Sequence, residues 1–251
     1  MKYHDFLPDN NLEKKYFQEV VDNLDLNITV VAKNFGDKLP PIDGDKIILM
    51  NADESYRLPS ELSDPSVKFI FKQYCNNNQH EKLKPIPLGP SKDLTINYTP
   101  INEREYDVTF VGQMASNRVT ILRNVTSMTC DPNLKSFFGF YQGFNRGLSS
   151  ECYSQILQQT KVAICPHGTC SPETFRFFEA MKNGCVVIAP KMPDNWVYEK
   201  TPHYIFEENL HEKVRNILRL DIENESQKSL EYHKSVSPKS VSNYIKGIIN
   251  A

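Results

Sequence analysis

No stretch of this chain is apolar for long. Nothing in the 251 residues approaches the roughly 20 consecutive apolar residues that span a bilayer. The opening MKYHDFLPDNNLEKK also lacks the apolar core of a secretory leader. No membrane span is expected, and a cytoplasmic site of action follows by default. Charge of one sign is scarce as well: the net charge is −2 and the pI about 6.3. That balance speaks against a nucleic-acid partner, which needs a broad basic field, but leaves room for a local basic cleft that binds phosphate. The six cysteines, at 75, 130, 152, 165, 170 and 185, form no CxxC pair, and two lie in or beside apolar runs. A disulfide framework or zinc site is therefore not expected, and all six read as free thiols. Glycosylation sequons begin at Asn27, Asn97, Asn124 and Asn224, but without a leader they carry little weight. Also missing are G-x-G-x-x-G, G-x-x-x-x-G-K-[ST], heptads and internal repeats. Dinucleotide-fingerprint and P-loop chemistry fall with them.

What is present is an ordinary globular composition, 39% hydrophobic and 24% charged, enough for one large or two small cores. The densest information lies between Thr160 and Pro190, TKVAICPHGTCSPETFRFFEAMKNGCVVIAP. Lys161 to Cys165 is a short apolar run, and Pro166, His167, Gly168 and Thr169 are turn formers, with Gly168 letting the backbone approach a ligand. Ser171 is expected as an N-cap, Pro172 at the first helical position, and Glu173 and Thr174 in a polar first turn whose N–H groups and dipole attract phosphate. Phe175, Phe178, Ala180 and Met181 form the expected buried stripe, Gly184 ends the helix, and Cys185 to Ala189 reads as a strand buried on both faces. The whole is a βαβ unit.

The first half carries its own strand series, Ile28 to Ala32, Lys46 to Met50, Lys68 to Phe71 and Lys84 to Leu88, with a helical pattern at Leu12 to Leu24 before them. A polar stretch from Ser91 to Glu105 joins this series to YDVTFVG at Tyr106 to Gly112, a strand running into a glycine turn. Helices are expected near Arg118 to Ser127, Ser150 to Gln159, Leu210 to Leu220, Ser226 to His233 and Val241 to Ile249. The expected domains are residues 1–100, residues 101–240, and a terminal helix at 241–251 packing back on the first. The fold class is α/β, two Rossmann-like domains with parallel sheets facing a central cleft.

The string CPHGTCSPETFRFFEAMKNGCVVIAP resembles the C-terminal signature of exostosin-like glycosyltransferases: a Pro–x–Gly turn, a helix carrying F-R-x-x-E-A, then G-C and an apolar strand. DVTFVGQ with Arg118 downstream is similar to that family's opening motif in the nucleotide-binding domain. The likeness covers about Tyr106 to Pro190 and hardly touches the first hundred residues. In length the chain looks like the compact, soluble versions found in bacteria and large DNA viruses; a viral source would put it in the host cytoplasm. The resemblance implies a GT-B fold. It further implies a nucleotide-sugar donor bound mainly by the second domain, a glycan acceptor bound by the first, no cofactor and no essential metal. It also favours a UDP-linked donor, with UDP-xylose one candidate, and inversion at the anomeric carbon.

Metal-independent transfer must neutralise the departing diphosphate with helix N-termini and cationic side chains. The donor-side candidates are Gly112, Gln113 and Arg118 after the first strand of the second domain, and His167, Gly168, Thr169, Ser171, Glu173, Thr174, Arg176 and Glu179 around the βαβ turn. Arg118 is the first choice for the phosphate clamp, because its fork suits phosphate oxygens. Arg176 either faces the cleft or pairs with Glu173 or Glu179. Glu179 sits where related enzymes hold the donor ribose. The acceptor's proton needs a base, and Asp53 and then Glu54, just past the strand IILMN, are the candidates. His4 and Asp5 are weaker ones. The segment Lys33 to Gly36, Asn34 included, with Tyr56 and Arg57, is the candidate acceptor groove. A different class of reading is a non-catalytic nucleotide- or glycan-binding module with the same fold.

Overall fold

The computed structural model describes residues 1–51, 54, 56–77, 79–90, 94, 97–113, 118–143, 147–206 and 208–251. The chain divides into two compact units: Met1–Lys92 with Pro193–Lys200 and Lys234–Ala251, and Asp93–Met192 with Thr201–His233. Each holds a five-stranded, wholly parallel sheet. Among the described residues no helix is long and apolar enough to cross a membrane.

In the first unit the strands run in sequence order, β1 (Lys2–Asp5), β2 (Thr29–Asn34), β3 (Lys46–Asn51), β4 (Val67–Lys72) and β5 (Leu83–Pro85). Alternation decides the faces. Val30, Ala32, Ile47, Leu49 and Phe71 pack against Phe17, Val20 and Val21 of α1 (Lys14–Asp22), and against Val241 and Ile245 of the terminal helix Pro238–Asn250. Val31, Ile48, Met50 and Ile70 turn the other way, toward Phe35, Leu39, Ile42 and Leu62 of the connecting loops. The short segment Pro193–Lys200 belongs here because Trp196 lies 4.4 Å from Tyr244, ring centre to ring centre, and donates its indole N–H to Pro85 O at 2.8 Å. Asn195 Nδ2 likewise donates to Cys75 O at 2.8 Å. The sequence pattern puts Pro193–Lys200 in the second domain instead, and it marks no strand at β1.

The second unit contains β6 (Tyr106–Gln113), α2 (Val119–Thr129), β7 (Ser136–Tyr141), α3 (Ser150–Gln158), β8 (Thr160–Ile164), α4 (Phe175–Lys182), β9 (Val186–Ala189), β10 (Tyr204–Ile205), α5 (Leu210–Leu218) and α6 (Ile222–Ser235). α7 is the terminal helix Pro238–Asn250. Strand order is β10-β9-β8-β6-β7. Val108, Phe110, Val162, Ile164, Val186 and Ile188 pack on Ile121 and Met128 of α2 and on Leu210, Val214 and Ile217 of α5. On the other side α3 packs against β8 and α4 against β9, and burial pushes up the thiol of Cys165, just past β8. Helices thus cover both faces, and continuous apolar strands are the sequence mark of that burial.

The stripe of α4 is wider than expected. Phe177, not Phe175, joins Phe178, Ala180 and Met181 as a fully buried residue. Phe177 fills the space between His203 and Tyr232, ring centres 5.7 and 6.0 Å away.

Candidate functional site

The strand order of the second sheet defines one special place. The chain leaves β6 for β7 on one side, then returns past β6 to lay down β8 on the other. The loops after β6 and β8 therefore diverge, and an open α/β sheet takes its ligand at such a switch point, outside the carboxyl ends of the strands. Among the described residues the first sheet, ordered β1 to β5 without reversal, has no such point. All the donor-side candidates flank the switch point in the second sheet: Gly112 and Gln113 end β6, and the rest lie in the loop after β8, at α2 or on α4.

Two arginines meet there. Arg118, only 7% exposed, donates from Nη1 to Gln113 O and from Nη2 to His167 O at 3.3 Å, so it ties the end of β6 to the turn after β8. Arg176 donates from Nε to Val111 O at 2.7 Å and brings its terminal nitrogens over Gly112. Both guanidinium carbons lie over the Phe110 ring, at 5.8 and 5.1 Å. Carbonyl oxygens and an aromatic face compensate the two cations and orient them. Gly112 leaves room for the guanidinium: a Cβ there would fall 3.0 Å from Arg176 Cζ and closer still to its Nη2, so the side chain would have to shift.

The turn between β8 and α4 differs from expectation. Ser171 is not an N-cap, Pro172 does not open the helix, and Glu173 and Thr174 do not form its first turn. α4 starts at Phe175 with Thr174 as N-cap in an extended conformation, and the Thr174 side chain makes no capping bond. The reason is local. Gly168 N donates to Ser171 O at 2.7 Å, and Ser171 Oγ accepts from Glu173 N at 3.0 Å while approaching Glu173 Oε2 at 3.3 Å. These bonds close a tight loop that competes with helix. Gly168, Ser171 and Glu173 are buried in it, while His167 and Thr169 are exposed. Glu179, 5% exposed, lies among Tyr153, Cys165 and Arg176. Burial first, and then the Glu179 carboxylate, push the Tyr153 hydroxyl well above its ordinary pKa.

In the first unit Asp53 lies outside the described residues. Glu54 sits half-buried in the turn after β3. Asn34 ends β2 with its amide engaged on both sides, accepting from Asn11 at 3.3 Å and donating to Asp37 at 3.0 Å. Arg57 is exposed and stands 5.1 Å over the Phe35 ring. His4 and Asp5 lie on β1, where Asp5 accepts from Leu7 N at 3.0 Å and faces Lys14 at 3.4 Å. Sequence reasoning named Lys33 only as the first residue of the candidate groove segment and did not single out Lys72; both are buried. Lys33 pairs with Glu61, and Lys72 Nζ donates to Tyr74 O at 2.8 Å and Gln73 O at 3.2 Å. Their signal was a lysine at the end of two apolar strands, VVAK and FIFK.

No protein-family model matches the sequence, and no curated protein is similar to it in sequence. The likeness to exostosin-like enzymes thus remains one of motif. Solved structures do resemble it. One, of accessory secretory proteins 1, 2 and 3 in Streptococcus pneumoniae, matches 94% of this chain with a TM-score of 0.56 at 10% identity, and this chain spans only 56% of that one. An α1,3-fucosyltransferase matches over 100% of this chain and 90% of its own, with a TM-score of 0.52 at 11% identity. At such identities the likeness is one of fold. Two Rossmann-like units with parallel sheets, the GT-B architecture, are what the chain shares with them.

Proposed function

We propose that the chain is a glycosyltransferase that moves a sugar from a nucleoside-diphosphate sugar to a hydroxyl of a glycan acceptor. The observation that carries this reading is the pair of oriented guanidiniums, Arg118 and Arg176, at the switch point of the second sheet. Fold likeness to a fucosyltransferase agrees with it, although fold alone does not specify chemistry. In this reading the second unit binds the donor and the first the acceptor. Arg176 neutralises the diphosphate as the bond from the anomeric carbon to its oxygen breaks. Arg118 fixes the two loops that shape the site. The turn at His167, Gly168, Thr169, Ser171 and Thr174 lines it, and Glu173 and Glu179 supply the carboxylates, Glu179 for the ribose. Asp53, or else Glu54, takes the proton from the acceptor hydroxyl as its oxygen bonds to the anomeric carbon with inversion. Asn34, Tyr56 and Arg57 line the acceptor side. The donor is UDP-linked, a pentose such as xylose being one candidate, and no metal is required.

The test is thermal stabilisation and hydrolysis across a panel of UDP-, GDP- and ADP-sugars, first with EDTA and then with magnesium. A donor at a hundredfold its Kd stabilises by about 2.7 kcal/mol. The expected result is one donor that raises Tm and is slowly hydrolysed under EDTA, with Arg176→Ala losing both effects. Arg118→Ala is the poorer probe, since it also unties Gln113 O from His167 O. No shift with any nucleotide would overturn the proposal; a shift without turnover of any donor would support the binding-module reading instead.

A further inference from the structure

One carboxyl group of the first unit is enclosed with no cation beside it. Glu13 closes the loop that leaves β1 at its carboxyl end and stands as the N-cap of α1. It is 7% exposed. Burial raises its carboxyl to about 7 against the influence of its own backbone N–H, and among the described residues no neighbouring charge contributes. The adjacent cation, Lys14, is taken up elsewhere, by Asp9 at 2.8 Å, Leu7 O at 3.1 Å and Asp5 at 3.4 Å. The backbone of Glu13, by contrast, is firmly placed. Its N–H donates to Asn11 Oδ1 at 2.9 Å, and its carbonyl accepts from Phe17 N at 2.9 Å. Asn11 Nδ2 in turn donates at 3.3 Å to Asn34 at the end of β2, which lies in register with Asn51 at the end of β3. A chain of hydrogen bonds thus ties Glu13 to the strand end that carries Asn34, an acceptor-side candidate.

Folding alone gives no reason for this carboxyl. An N-cap side chain normally accepts from the first turn of its helix, and Glu13 makes no such bond. A glutamine or an apolar residue of similar size would fill the space without the cost of an enclosed charge. A carboxyl group kept at that cost, desolvated and fixed among polar groups, suits the abstraction of a proton. We infer that Glu13 is the general base of the transfer, the group that takes the proton from the acceptor hydroxyl. The inference rests on the glycosyltransferase reading and moves one of its steps from Asp53 or Glu54 to Glu13. A Glu13 carboxylate oxygen binds the hydroxyl proton while an electron pair of the hydroxyl oxygen forms the bond to the anomeric carbon. The bond from that carbon to the diphosphate oxygen breaks, and its pair leaves with the diphosphate. Glu13 then gives the proton to water. Water in place of the glycan hydroxyl follows the same course, which is hydrolysis of the donor.

Donor hydrolysis by the full chain tests it, with whichever of the UDP-, GDP- and ADP-sugars raises Tm. The rate of the unaltered chain should fall as pH drops below about 7, where Glu13 takes up a proton. Glu13→Gln, close in shape, should keep the donor's Tm rise, hydrolyse it about a hundredfold more slowly and lose that acid limb. Glu13→Ala should be as slow and regain rate in sodium formate, a small carboxylate to which a merely structural position would not respond. Unaltered hydrolysis in Glu13→Gln, an acid limb that persists in it, or a Glu13→Ala rate that formate leaves unchanged would overturn the base. Loss of the donor's Tm rise in both variants would mark Glu13 as structural and overturn it as well. The two readings fail distinguishably. Any of those results beside donor stabilisation of the unaltered chain sinks the base alone, whereas no stabilisation by any nucleotide-sugar sinks the glycosyltransferase reading and the base with it.

Discussion

At the scale of single residues, Gly112 and Arg176 form one device. The guanidinium lies where a side chain at 112 would be, its Nε held by Val111 O. Gly112→Ala must displace Arg176, since the backbone of β6 is fixed between β7 and β8. The expected outcome is a donor KM raised about tenfold, the loss of one charge-assisted contact of about 1.4 kcal/mol, with a Tm change of a few degrees at most; steady-state kinetics beside a melting curve checks it. An unaltered KM would remove Arg176 from the donor site. Much of this was legible in sequence. The strand YDVTFVG, both arginines and the turn HGT are visible as residue types at punctuated positions, although Gly112 and Gln113 still belong to β6. What the arginines bond to was not, because backbone carbonyls three-dimensionally nearby leave no mark on the string. The burial of the lysines was missed for a different reason: periodicity treats a lysine at a strand end as solvated, whereas Lys33 and Lys72 are buried with Glu61 and carbonyl partners.

At the scale of elements, α4 shows how local bonding moves a boundary. Ser171, Pro172, Glu173 and Thr174 all suit a helix start, yet the Ser171 hydroxyl closes a turn on Glu173 N and delays the helix to Phe175. Ser171 is fully buried, so Ser171→Ala leaves the Glu173 amide and carboxylate short of a partner and should cost about 1–3 kcal/mol in urea unfolding. The other end followed the pattern. Gly184, at φ 67°, terminates α4 where the sequence reading put it, and a Cβ there would meet Ser226 Oγ at 3.0 Å and Leu230 Cγ at 3.1 Å. Strands with apolar, β-branched runs were legible for the same reason that they are buried on both faces. Two were not. β1, KYHD, has no apolar run and gains its place from pairing with β2. β7, SFFGFY, is aromatic and carries Gly139, and shows no strand pattern until its register with β6 is seen.

At the scale of the whole molecule, the two units answer acid with opposite sign. In the first, burial raises the Glu13 carboxyl to about 7. Its folded pKa exceeds its unfolded value of 4.5, so the folded state binds the proton more tightly, and the stabilisation is complete below 4.5 and lost as pH rises through about 7. In the second, burial and the nearby Lys182 depress His233 to about 4. That contribution is present above the unfolded value of 6.5 and lost as pH falls toward about 4. Its Nδ1 is buried without a hydrogen-bond partner, so the neutral ring has nothing to gain from a proton in place. His203 is lowered in the same direction by burial. Between pH 6.5 and 4.5 acidification therefore strengthens the first unit and weakens the second, each by up to about 3 kcal/mol at 1.36 kcal/mol per pKa unit. Hydrogen exchange on the intact chain at pH 6.5 and 5, corrected for intrinsic rates, reads the two separately. Amides of α1 should gain protection at the lower pH and those of α6 lose it. Glu13→Gln should flatten the first response and His233→Gln the second. If both units lost protection together, the chain would unfold as one cooperative body and neither group would govern its own unit.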